Sequence, residues 1–422
     1  MSASETLVFA DLEGEPILAG RLWGRLRKGR ESATFEYDEA WLDHPARYSL
    51  EPALKLGPGP FHTPVDRPLF GAIGDSAPDR WGRALMRRAE RRRAERSGET
   101  PRTMREIDYL LMVTDEARQG ALRFASQPGG PFLAADDAIR IPPLVDLPRL
   151  LTAADRVIAD SDSDEDLRLL LAPGSSLGGA RPKASVRDRD GQLAFAKFAH
   201  ANDEIDAVRW EAVALSLARA AGVTVSPWRI EAVAEKPTLL LRRFDRVDNT
   251  RIPFLSAMSM LGANDHEPRS YLEIVDALRQ YGAAPKRDMQ QLWRRVVLSV
   301  LISNTDDHLR NHGFLYAGAD GWLLAPAYDL NPVPVDVKPR VLSTAIDFDD
   351  RTASLDRALE VAPYFELSSD EAWAIAAEVG RAVAGWRKTA ARLGVAAAEI
   401  DRMASAFEHE DLRSAYQSPP KR

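Results

Sequence analysis

Residues 304–311 read N-T-D-D-H-L-R-N and close a strongly apolar segment. Just before them Met289, Leu292, Trp293, Val296, Val297, Val300 and Leu301 recur at helical spacing, which predicts a buried helix. Just after them HGFLYAGADGWLLAPAYDL predicts a short hairpin, 314–316 against 322–324, turning through GADG. Two aspartates, a histidine and two asparagines are therefore set between a buried helix and an apolar hairpin, a poor place for a merely solvated loop. A hairpin brings its two ends together, so Asp306, Asn311 and Asp329 are expected to converge on one site.

Working back toward the N-terminus, PTLLLRRFDRV at 237–247 reads as a buried strand, and QLAFAKF at 192–198 alternates as a strand does, with Lys197 near its end. A helix is expected over about 203–221, closed by Gly222. Ahead of these lies the glycine-rich turn GSSLGGARPK at 174–183. The first sixty residues read as short strands, TLVFADL and ILAGRLWGRL flanking the turn EGEP, before a helical pattern begins at DRWGRAL. Residues 1–125 are thus expected to form a small α/β domain and 126–422 a second domain. In the second, 126–247 carries strands and 248–422 is mostly helical.

The 422 residues suffice for two or three domains with a sizeable core. Apolar residues at 45% and charged residues at 28% are ordinary globular composition. No basic and apolar leader pattern opens the chain, and no apolar run is long enough to span a bilayer, so no membrane association is expected. The absence of cysteine excludes disulfides, thiolate nucleophiles and cysteine zinc sites, and fits a cytoplasmic location. A net charge of −7 argues against nucleic-acid binding by bulk electrostatics. The arginine-crowded RALMRRAERRRAERSG reads as a solvated helix face, or as a docking surface for an acidic partner or DNA backbone. The acidic DSDSDED at 160–166 reads as a flexible linker or helix start.

Phosphoryl transfer from a nucleotide needs a glycine-rich cradle, a phosphate-holding lysine and a helix carboxylate that orients it. It further needs an aspartate at the attacking hydroxyl, with an asparagine and a second aspartate on magnesium. Each part has a candidate, in the order used by protein kinases. Gly178 and Gly179 let backbone amides approach an anion, followed by Lys183; no Walker A lysine is present. Lys197 ends its strand as the kinase VAIK lysine does. Glu211 lies on one helical face with Val208, Ala212 and Leu215, and a buried carboxylate there needs a cationic partner. Asp306 and Asn311 are five apart, as in HRDxxxxN, and Asp329 arrives after the hairpin. His308 has His312 four residues on but no metal-site signature, so a supporting role beneath the loop is expected of it.

These residues resemble the HipA family, serine/threonine kinase toxins of bacterial type II toxin–antitoxin operons. FGAIGDSAPDRWGRAL at 70–85, SSLGGARPKA, LLRRFDR at 240–246, and NTDDHLRNHGFL with PAYDLNP carry the resemblance across nearly the whole chain. It implies an α+β fold: a small N-terminal α/β domain, then a protein-kinase-like two-lobed domain with a mostly helical C-terminal lobe. It implies catalysis by Asp306, magnesium ligation by Asn311 and Asp329, and an ATP-phosphate contact from Lys197. Adenine would meet backbone near Arg242 and Phe244, and Ser176, or the adjacent Ser175, would be autophosphorylated. A phosphate there adds about two negative charges, enough to eject the loop from the nucleotide pocket. The implied partners are a helix-turn-helix antitoxin, operator DNA mainly through that antitoxin, and a translation-protein substrate such as an aminoacyl-tRNA synthetase. Asp306, His308 and Asn311 also fit the DxHxxN loop of lipid kinases, so a small-molecule or lipid kinase is the first alternative. A non-catalytic corepressor that binds its antitoxin is the second.

Overall fold

The computed structural model describes residues 5–134, 141–171, 179, 181–200, 203–248 and 250–416. The chain folds as two compact units, the first comprising 1–202 with 231–264 and the second 203–230 with 265–422.

The first unit opens with an antiparallel sheet of order β4-β3-β2-β1-β5, formed by β1 (Glu5–Leu12), β2 (Glu15–Arg27), β3 (Arg30–Tyr37), β4 (Pro60–His62) and β5 (Leu122–Ala125). Its first two hairpins turn on two residues each, Glu13-Gly14 and Lys28-Gly29, all four with positive φ. Such turns match the twist of the flanking strands, and a glycine at the second position relieves the strain. The predicted strands flanking EGEP are therefore β1 and β2.

A second sheet of order β6-β7-β9-β8 contains β6 (Lys183–Arg187), β7 (Leu193–Phe198) and β9 (Lys236–Arg242). The remaining edge is β8 (Trp228–Val233), which belongs to this unit from Glu231 onward. One face of the sheet buries Ala184, Val186, Ala194, Ala196, Phe198 and Leu240 against Trp81 and Leu85 of the Arg80–Ser97 helix and Leu150, Leu151 and Ala154 of the Leu147–Ile158 helix.

The arginine run is a solvated face only in part: Arg87, Arg91, Arg93 and Arg96 are exposed, while half-buried Arg88 and Arg92 turn to the acidic stretch. Arg88 pairs with Asp160 and, at 2.6 Å, with Asp162; Arg92 reaches Asp162 at 3.1 Å, and Arg96 reaches Asp164 at 2.8 Å. Glu90 is buried and accepts from Arg93, and Arg83 pairs with Glu106. The acidic stretch is the counter-charge of the basic one, and it starts a helix, Asp164–Leu171, with three acids in its first turn.

In the second unit the Pro285–Leu301 helix is the centre. It begins with proline, which suits the first helical position, and buries Met289, Leu292, Trp293, Val296, Val297, Val300 and Leu301. The Ala207–Ala220 helix is capped by Asp206 accepting from Arg209 N and ends before Gly222, at φ +74. Its Trp210 lies near the stacked pair Trp386 and Phe407, 4.4 Å between centroids, and donates to Glu399 at 2.7 Å. The expected hairpin pairs Phe314 with Leu324, Leu315 with Leu323 and Tyr316 with Trp322. It is fastened to the central helix by buried Asp288, which accepts from Leu324 N at 2.8 Å, and by Arg295, which donates to Ala325 O. Among the described residues no helix is long and apolar enough to cross a membrane.

Candidate active site

The central helix stops at Leu301, and Ser303 turns the chain with φ +51. The following loop is held from beneath by Asp307, not by its neighbour Asp306. Buried Asp307 accepts from Tyr271 Oη at 2.6 Å and Ser299 Oγ at 3.1 Å, lies 2.9 Å from His312 Nε2, and its carbonyl accepts from Thr344 Oγ1 at 2.7 Å. Burial alone would raise its pKa, but His312, Tyr271 and Ser299 hold the carboxyl below the ordinary value. Its charge is thus spent on holding the loop. Asp307→Ala is expected to destabilise the second unit by about 3 kcal/mol, because Tyr271 and His312 lose a buried anionic partner. Chemical denaturation checks this, and a change under about 1 kcal/mol would rule out the anchoring role.

With Asp307 turned inward, Asp306 faces outward, its side chain 65% exposed and 3.8 Å from Lys338 Nζ. Lys338 also donates to Thr305 O at 3.3 Å. Asn311 is buried; its Nδ2 donates to Asp306 O at 3.1 Å, while its Oδ1 has no hydrogen-bond partner. An orphaned buried acceptor is costly unless something fills it, and a cation would.

Asp329 adopts φ +58, a left-handed conformation tolerated by aspartate better than by most residues. Its carbonyl accepts from Asn331 Nδ2 at 3.1 Å, and Asn331 N donates to Asn304 Oδ1 at 3.0 Å. Tyr328 Oη donates to Arg310 O at 2.6 Å. These bonds stitch the 304–311 loop to the segment carrying Asp329. His308 lies in the same loop; its Nδ1 is buried without a hydrogen-bond partner, so the hydrogen-bonded support expected of it comes from Asp307 instead. Among the described residues no group of three or more histidines and carboxylates could hold a metal ion. A carboxylate and an amide, those of Asp329 and Asn311, would suit magnesium, which commonly completes its shell with phosphate and water.

In the first unit Lys197 sits half-buried on β7, in register with Lys183 of β6 and Leu239 of β9. Buried Lys183 donates to Asp79. Gly179, at φ +91, is exposed, whereas Ser175, Ser176 and Gly178 lie outside the described residues. Arg242 is exposed at the end of β9 and pairs with Asp190, and the Phe244 ring packs 6.0 Å from that of Phe254. Glu211 is buried on the Ala207–Ala220 helix of the second unit, as its apolar neighbours predicted.

Sequence reasoning passed over three features. Lys338 left no local signal, since its contact with Thr305 spans 33 residues, and Asp307 reads like its neighbour Asp306 until Tyr271 reaches it across 36 residues. The third is the buried cluster around Asp245, which accepts from Arg243 at 2.6 Å, Arg246 at 2.8 Å and Gly120 N at 2.8 Å. Arg243 also donates to Ala117 O and Arg118 O. Four charged residues in RRFDR at 242–246, directly after the apolar LLL at 239–241, were the available sign.

Residues 175–386 match the model of the HipA-like C-terminal domain, half of the chain, and residues 17–124 match that of the HipA N-terminal domain. The chain belongs to the HipA family. A protein of Sinorhizobium fredii described as "Putative kinase Y4mE" is 26% identical over 338 residues, covering 74% of this chain and 75% of its own. A Haemophilus influenzae protein of similar description is 29% identical over 86 residues, 20% of this chain and 24% of its own. The HipA of Shewanella oneidensis MR-1, solved with HipB and operator DNA, superposes with a TM-score of 0.67 at 16% identity, covering 97% of this chain and 96% of its own. That likeness shows the expected fold class, the α+β, kinase-like fold of HipA behind an N-terminal sheet.

Proposed function

We propose that this HipA-family chain is an ATP- and magnesium-dependent protein serine/threonine kinase, the toxin of a type II toxin–antitoxin pair. The observation that supports it best is the loop of Asp306 and Asn311 bonded to the segment of Asp329, with a buried Asn311 Oδ1 left unpaired. Bound Mg·ATP supplies the transferable phosphoryl group and the cation that offsets its charge. Asp306, exposed at the rim, orients the substrate hydroxyl and takes its proton. Asn311 and Asp329 hold the cation, Lys197 meets the phosphates, and Glu211 orients Lys197. Gly178, Gly179 and Lys183 form the phosphate loop, while adenine lies against backbone near Arg242 and Phe244.

Substrate and partners follow from the family. The acceptor is a serine or threonine of a translation protein such as an aminoacyl-tRNA synthetase, with Ser176 or Ser175 as the self-limiting site. The antitoxin is a helix-turn-helix protein that brings the kinase to operator DNA, as HipB and operator accompany the Shewanella HipA.

Intact mass with and without Mg·ATP, followed by phosphopeptide mapping, tests the reading. The expected result is one added phosphate on Ser176 or Ser175 of the wild type. Asp329→Ala is expected to gain none and to bind ATP no better with magnesium than without. Unchanged magnesium-dependent affinity in that variant removes Asp329 from the metal site.

A further inference from the structure

Lys183 directly follows the glycine-rich turn, yet its side chain is only 3% exposed, and that of Asp79 only 4%. Lys183 Nζ donates to Asp79 Oδ2 at 2.7 Å and to the carbonyl of Gly179 at 3.4 Å. The other carboxylate oxygen of Asp79 accepts from Gly82 N at 2.9 Å and caps the Arg80–Ser97 helix. Two residues on, Trp81 Nε1 donates to the backbone carbonyl of Lys183 at 3.1 Å. Residues 79–82 therefore grip Lys183 at both its main chain and its ammonium, and that ammonium reaches the glycine turn.

A second observation gives this grip a consequence beyond packing. Lys183 and Lys197 are register partners across β6 and β7, so their side chains leave the same face of the sheet. Like charges directly opposite one another repel, and a compensating carboxylate at Lys183 relieves Lys197 of that repulsion. Asp79 lies in the segment matching the HipA N-terminal domain and Lys183 in that matching the C-terminal domain.

We propose that Asp79 is a positioning residue for nucleotide binding: through Lys183 it fixes the glycine turn at Gly179 and neutralises the cation facing Lys197. The N-terminal domain thereby sets ATP affinity without touching the nucleotide. This rests on the kinase reading above.

Asp79→Asn separates the ion pair from the helix cap, because asparagine caps as well as aspartate but carries no charge. Lys183→Met keeps the length and apolar stem of Lys183. Calorimetric titration with Mg·ATP is expected to show about tenfold weaker binding in each single variant, within the range usual for coupled sites. The double variant should be no weaker than the worse single one, as for two residues acting as a unit. In Asp79→Asn the loss should fall on KM for ATP more than on kcat, and hydrogen exchange at Gly179 should quicken. Wild-type affinity in Asp79→Asn, or additive losses in the double variant, overturns the proposal and leaves Lys183 as a direct phosphate contact or a structural residue. If the wild type itself binds no Mg·ATP, the kinase reading fails and this inference with it.

Discussion

Asp306→Asn is expected to lower phosphotransfer by about 10²–10⁴-fold, the contribution usual for a positioned acid–base group. The same substitution should leave unfolding within about 0.5 kcal/mol of wild type. The two expectations have one cause. Asp306 projects from its loop 65% exposed, and its contact with Lys338 Nζ at 3.8 Å is a surface pair worth at most about 1 kcal/mol. The loop's stability resides one residue away, in Asp307. Transfer of labelled phosphate to Ser176 or to a serine peptide, measured beside chemical denaturation, separates catalysis from folding. An Asp306→Asn protein with wild-type transfer would remove this residue from the mechanism, and one that fails to fold would mean the loop leans on it.

The largest expected loss of stability is at Asp245. Its side chain is fully buried between Arg243 and Arg246, so Asp245→Ala strands two guanidinium groups without their shared anion. Breaking a buried pair from one side costs about 3–5 kcal/mol. Burial alone would raise the Asp245 pKa, but Arg243 and Arg246 reverse this and hold it well below the ordinary carboxyl value. A carboxyl depressed by folding stabilises the native state above its unfolded pKa of about 3.9, and that stabilisation is lost as pH falls further. Acid unfolding of the wild type should therefore steepen below about pH 4, and Asp245→Ala should flatten that dependence while lowering stability at about pH 7. Equal acid profiles for the two proteins would show that Asp245 is not the linked group.

The local elements were legible because their signals are local. Helical spacing in 289–301, alternation in 192–198 and the paired runs around GADG each specify an element from a dozen residues or so. The order of motifs likewise carried the family and its fold class. The pairing of the basic run with the acidic one was not legible for the opposite reason: Arg88 and Asp160 meet across 72 residues of chain, and neither stretch taken alone announces the other.

Sequence by itself determined which side chains are candidates for the proposed phosphoryl transfer: the aspartates at 306 and 329, the asparagine at 311, the lysines at 183 and 197. The tertiary structure decided their surroundings. Of two adjacent aspartates, burial against Tyr271, Ser299 and His312 turns 307 into an anchor and leaves 306 to face outward. Of two lysines in register, a carboxylate 104 residues distant fixes Lys183. Charge near a site follows from composition, but whether a charge acts or is neutralised depends on partners that only the packed chain brings within hydrogen-bonding distance.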